Sequence, residues 1–197
     1  MREFFQQRQR KIVLAALGII IALQLFACFY QIFRYESTLA FGKPVVLSMR
    51  TYDPFDAFRG RYARLNVSGD SLRTDKQLCA TYCGRQFFVT YKAKLNDRNL
   101  SVIDDAFIDE PQTDLVYLKL RGEYNPNSKI VELYYDFDRF YMQEDLAKEV
   151  DRDRGLLTGD RDARLVVRAL NGKGVIENVM IGGQTLSDYL RERKKGE

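Results

Sequence analysis

Residues 53 to 62, DPFDAFRGRY, put two carboxylates, two guanidinium groups, three aromatic rings, a proline and a glycine into ten positions. Asp53 and Asp56 stand within reach of Arg59 and Arg61, and a bidentate arginine–carboxylate clasp would hold the stretch in one shape. Asp53-Pro54 is a turn opening: the aspartate accepts a backbone N–H two residues on, and proline presets φ at the next position. Gly60 allows a backbone angle that a Cβ would forbid, just before Tyr62 starts an alternating run. The stretch therefore reads first as a turn with an internal acid–arginine clasp, second as a docking surface, and last as a catalytic centre.

The chain has no histidine. That removes the commonest general base and the commonest metal ligand together. A serine–lysine dyad needs neither, since a lysine desolvated on a strand can lose its proton and activate a serine. Ser48-Met49, followed by lysines on a later strand, has the order of a membrane-anchored peptidase resembling signal peptidase. Against this, no proline follows two residues after Ser48, and Lys92 and Lys94 fall on the polar face of their strand. An exposed lysine keeps a pKa near about 10.4 and is a poor base.

Two further groups carry less. The acidic run DDAFIDEPQTD, residues 104 to 114, lacks the glycine and regular spacing of a calcium-binding loop and reads as a solvated linker. Cys79 and Cys83 stand four residues apart, a spacing that suits a local disulfide better than thiol–disulfide exchange chemistry. We expect no metal and no cofactor.

These residues need elements to position them. VVLSMR (45 to 50), RYARLNV (61 to 67), RQFFVTYKAKL (85 to 95), DLVYLKLR (114 to 121), KIVELYYDF (129 to 137), ARLVVRAL (163 to 170) and GVIENVMI (174 to 181) are rich in β-branched and aromatic residues. In the third run Phe87, Val89, Tyr91, Ala93 and Leu95 share one face, and Phe88, Thr90, Lys92 and Lys94 share the other. Asn171-Gly172, between two such runs, marks a hairpin. A helix is expected over 138 to 153, where Phe140, Ala147 and Val150 repeat near helical spacing and Glu144 faces Lys148. Its Asp145, Glu149, Asp151, Arg152 and Asp153 read as a solvated face. LSDYLRERKK predicts a short C-terminal helix with its basic residues at the end, where the helix dipole favours them. The expected fold class is α+β and strand-dominated, with a mainly antiparallel β-rich domain.

Residues 12 to 33 carry no charge, and at about 1.5 Å per residue they span roughly 33 Å, the thickness of a bilayer core. Arg2, Arg8, Arg10 and Lys11 precede them against Glu3 alone, which places residues 1–11 in the cytoplasm and the rest on the far side. The apolar run is too long for a cleaved leader, so it reads as a retained signal anchor. Leu25-Phe26-Ala27-Cys28 has the order of a lipidation site, but Phe26 is bulky where a small residue is usual; Cys28 reads as a membrane-buried thiol. The expected organisation is a stalk over 34–44, one domain over 45–183, and a helical tail over 184–197. Of 31 basic and 27 acidic residues, Arg34 and the four basic residues and one acid already named lie in the first 34 positions. The remainder balances, leaving no basic stripe for a nucleic acid.

Asp53-Pro54-x-Asp56-x-Phe58-Arg59-Gly60-x-Tyr62-x-x-Leu65 resembles the signature of the GDYXXLXY family. VVLSMR before it, and DLVYLKL, RFYMQEDLAKEVD, LVVRAL and GVIENVMIGG after it, follow the family's order over most of residues 45 to 183. Arg61 stands where the family name has aspartate, and Val67 where it has the last tyrosine. The resemblance implies a bacterial, extracytoplasmic β-rich domain on one helix in the cytoplasmic membrane, beside a multi-pass membrane protein. The expected function is thus a non-enzymatic binding or assembly domain, an accessory subunit whose 53–65 loop docks or organises the fold.

Overall fold

Alternation at period two builds most of this molecule. The computed structural model describes residues 2–49, 62–64, 67, 71–93, 100–112, 114–137, 139–141, 143, 148–150, 152–153, 156–157 and 161–196. Strands β1 (Lys43–Ser48), β9 (Ala163–Leu170), β10 (Lys173–Ile181) and β11 (Gln184–Thr185) form one antiparallel sheet in that order. Strands β3 (Ser71–Arg73), β7 (Ile130–Tyr134), β6 (Val116–Asn125), β4 (Cys83–Ala93) and β5 (Ser101–Phe107) form a second, also antiparallel. A two-stranded ribbon pairs β2 (Tyr62–Arg64) with β8 (Arg139–Tyr141).

The two large sheets share one apolar core. Val45 and Leu47 of β1 and Leu165 and Val167 of β9 meet Phe87 and Val89 of β4 and Leu118 and Leu120 of β6, all at most 3% exposed. Leu186 and Leu190 of the C-terminal helix (Leu186–Gly196) join them. Thr185 caps that helix: its Oγ1 accepts the Asp188 N–H at 3.2 Å.

The β9–β10 turn also ties the sheets together. Asn171 and Gly172 both have positive φ, 48° and 77°, the two-residue geometry whose twist suits a hairpin. The Gly172 carbonyl then accepts the Lys119 N–H at 2.7 Å, joining the first sheet to the middle of β6. The Cys79–Cys83 disulfide closes a short loop where β4 begins.

Two expectations need correction. Residues 104 to 107 of the acidic run are not a linker but part of β5, where Asp104 pairs with Lys92 at 2.7 Å and Asp105 pairs with Lys76. The helix expected from residue 138 starts later, since Arg139–Tyr141 is strand β8, while residues 148–150 and 152 are helical. Backbone pairing to β2 takes Phe140, which the helical spacing had counted.

The N-terminal helix is a single element, Arg2–Phe41, about 60 Å long. Its stretch Val13–Phe41 is long enough to cross a bilayer and packs against nothing in the chain over its most apolar window. The residues read as a stalk are helical up to Phe41, and Gly42 leads straight into β1. The helix end packs on β9 and β10. There Thr38 is 3% exposed, Gly42 is buried, and Arg168 Nη1 donates to the Gly42 carbonyl at 3.3 Å. Arg168 also holds Glu177 through two hydrogen bonds of 2.7 and 2.8 Å, a fork that raises its already high pKa.

Candidate functional site

Met49 follows the last residue of β1, and Val67 lies 18 residues further along the chain. These two residues form an antiparallel bridge and are 2% and 5% exposed, so a buried apolar neck joins the two flanks of the segment that contains the 53–65 cluster. Met49 is held a second time, its N–H donating to the Ala163 carbonyl at 3.3 Å. Asp53, Pro54, Asp56, Phe58, Arg59, Gly60 and Leu65 lie outside the described residues. Tyr62 opens β2 and pairs with Tyr141, as Ala63 does with Phe140 and Arg64 with Arg139. Two segments far apart in sequence, both carrying the resemblance noted above, thus form one ribbon.

Beside the neck, at the start of β9, stand two ion-pair systems. Arg164, opposite Ser48, forks onto Asp162, with Nε donating at 2.9 Å. Asp153 Oδ2 accepts Arg161 at 2.6 Å and Arg193 at 2.7 Å, tying the C-terminal helix to residues before β9. The hydrogen bond from Arg193, with help from Arg161, holds the Asp153 carboxyl below its usual range even though burial pushes the other way. Asp153 was read as part of a solvated face; its side chain is only 16% exposed. The signal was present in the alternating charges of DRDRGLLTGDRDAR, but their spacing does not say which arginines converge.

A lowered carboxylate pKa stabilises the fold above the unfolded value and loses that contribution as pH falls through the folded value. Asp153→Asn is therefore expected to cost about 1–2 kcal/mol at neutral pH, less than a fully buried pair because both arginines are partly exposed. It should also flatten the acid limb of stability against pH. Unfolding midpoints measured from pH 7 down to pH 3 check this; parallel curves for the two proteins would refute it.

The geometry around Ser48 is plain. Ser48 ends β1, half-buried, and among the described residues no lysine lies within hydrogen-bond distance of it. Lys92 is exposed on β4, in the five-stranded sheet, and paired with Asp104 on the neighbouring β5. Lys94 lies outside the described residues. In the rest of the acidic run, Glu110 accepts the Tyr117 hydroxyl, and no three metal-ligating side chains converge among the described residues. One buried polar pair departs from ordinary packing: the Tyr91 and Tyr135 hydroxyls meet at 3.1 Å, and burial pushes the Tyr91 pKa well up. Both rings act as packed core with a satisfied polar end. The described parts of this region are the Met49–Val67 bridge, the β2–β8 ribbon and the two ion-pair systems at the start of β9.

Comparison with known proteins gives one result that covers most of the chain. The family model described as GDYXXLXY protein matches residues 24–179, from the second half of the apolar helix to β10. No curated protein and no solved structure matches.

Proposed function

The chain belongs to the GDYXXLXY family, and from that premise we propose that it is a single-pass, membrane-anchored assembly domain, an accessory subunit of a multi-pass membrane protein. The N-terminus lies in the cytoplasm, residues 12–33 cross a bacterial cytoplasmic membrane, and the β-rich domain stands outside. The observation that carries this reading is the N-terminal helix, whose most apolar window covers no part of the protein's own core. Phe26, Phe29 and Phe33 are 68–71% exposed, an arrangement stable in lipid and costly in water. The basic residues before the apolar stretch support the orientation. The Cys79–Cys83 disulfide fits an oxidising compartment.

In this reading the 53–65 segment, whose flanks meet at the Met49–Val67 bridge, is the part of the domain that meets the partner. Asp53→Ala or Arg59→Ala is expected to destabilise the domain by about 1–3 kcal/mol through loss of the acid–arginine clasp. Thermal unfolding of both variants tests it, and unchanged midpoints would remove the clasp and leave docking alone. Docking is tested by crosslinking the full-length protein in its own membranes, followed by mass spectrometry. One multi-pass protein recovered with the wild type and lost with Arg59→Ala is the expected outcome. Secretory products whose cleavage depends on Ser48, tested with Ser48→Ala, would instead point to a peptidase.

A further inference from the structure

Two glutamines interrupt the apolar helix, and neither amide has a hydrogen-bond partner among the described residues. In hydrocarbon an amide with unmet donors and acceptors is expensive, and a neighbouring helix is what satisfies it. Gln24 and Gln31 are seven residues apart, so they stand about 20° from each other around the helix, two turns apart along it.

The same face leads to the β-rich domain. Thr38 follows Gln31 by another seven residues, and Gly42 follows Gln24 by 18, which is about five whole turns. Thr38 and Gly42 are the buried positions at the helix end, where it rests on β9 and β10. Phe41, about 100° to one side, is 78% exposed, and Ala40 and Glu36 on the far side are exposed as well. The helix runs unbroken from the glutamines into this contact. The domain therefore leans out over the side of the helix that carries the two amides.

On the reading that this helix crosses a membrane beside a multi-pass partner, we infer that the partner contributes a transmembrane helix with hydrogen-bonding side chains two turns apart. That helix packs on the Gln24–Gln31 face, beneath the overhanging domain. A second copy of this chain fits the face poorly. Two parallel helices joined through it by a twofold axis would each project a domain across that axis, into the space the other needs. A partner whose mass is mostly within the bilayer leaves that space free.

The test places a photocrosslinking residue in the full-length chain in its native membranes, replacing either Cys28 or Ala22. Cys28 lies about 40° from Gln24 on the amide face, and Ala22 about 160° away. The expected result is an adduct from position 28 and none from position 22, identified by mass spectrometry as a protein with several membrane spans. In a Gln24→Leu, Gln31→Leu background, which inserts at least as well, the adduct should fall about tenfold. An adduct from position 22 alone, or an adduct that is a second copy of this chain, overturns the inference and leaves the accessory reading standing. No adduct at either position, while the Arg59-dependent partner is still recovered, overturns the in-membrane contact only. Loss of every partner in both experiments removes the accessory reading too.

Discussion

Gly122→Ala is expected to lower the stability of the β-rich domain by about 3 kcal/mol, at the upper end of the range for overpacking a core. A Cβ at position 122 would lie 2.5 Å from the Glu132 carbonyl oxygen, 3.1 Å from Phe87 Cδ2 and 3.2 Å from Leu133 Cδ2. The first contact decides the magnitude. A flexible side chain could swing away, but Glu132 O belongs to the β6–β7 ladder, in which Gly122 pairs with Leu133 and Glu123 with Glu132. Relief requires the two strands to part locally, in the middle of the five-stranded sheet and against a fully buried Phe87. For a domain of this size the midpoint of thermal unfolding should drop by about 6–12 °C. Gly84→Ala is the control: it lies on the neighbouring strand, where a new Cβ meets only Glu123 Cγ at 3.7 Å, an ordinary contact. Its midpoint should stay within about 2 °C of the wild type. Equal behaviour of the two variants would mean that β6 and β7 do not approach as closely as described.

Sequence periodicity located the strands whose two faces differ most. ARLVVRAL alternates buried and half-buried residues without a break and is β9 from its first residue to its last. Asn171-Gly172 marks its turn because few residues accept positive φ at both positions. Strand β5 was hidden because its polar residues look solvated in isolation. Asp104 and Asp105 become strand residues only when Lys92 and Lys76, brought in from elsewhere in the chain, stand beside them. β2 and β8 are three residues each, and their support is one another; no local pattern announces a pairing between residues 62 and 141. The candidate site was legible as a cluster of charges and rings with a turn opening. Its neck was not, because Met49 and Val67 are common apolar residues whose meeting depends on the whole core.

The helix–domain junction was equally invisible: nothing in Gly42-Lys43-Pro44 distinguishes a loose stalk from a seated joint. The structure makes it a joint, and Gly42→Ala tests that. The Gly42 N–H donates to the Thr38 carbonyl at 2.9 Å, continuing the helical path one residue beyond Phe41. An added Cβ would lie 2.4 Å from that same carbonyl oxygen, 3.0 Å from Arg168 Cβ and 3.1 Å from the Ala169 backbone nitrogen. It is caught between the last helical turn and strand β9, and neither offers a flexible end to move. We expect the helix end to lift off β9, breaking the bond from Arg168 to the Gly42 carbonyl while the Arg168–Glu177 pair survives within the sheet. A cost of about 2–3 kcal/mol raises the unseated population by roughly 30- to 150-fold. Backbone hydrogen exchange over residues 38–42 in the detergent-solubilised full chain should accelerate in proportion, because Thr38 and Gly42 are buried only while the helix end is seated. Gly18→Ala, on the same helix with nothing within 4 Å of the new Cβ, should leave the rate unchanged. The result bears on function as well. A seated joint fixes which side of the helix the domain overhangs, so in the proposed arrangement Gly42→Ala should weaken partner crosslinking from position 28 without altering the glutamines. If exchange accelerates but crosslinking holds, the partner reads the membrane helix alone and the domain's placement serves something else.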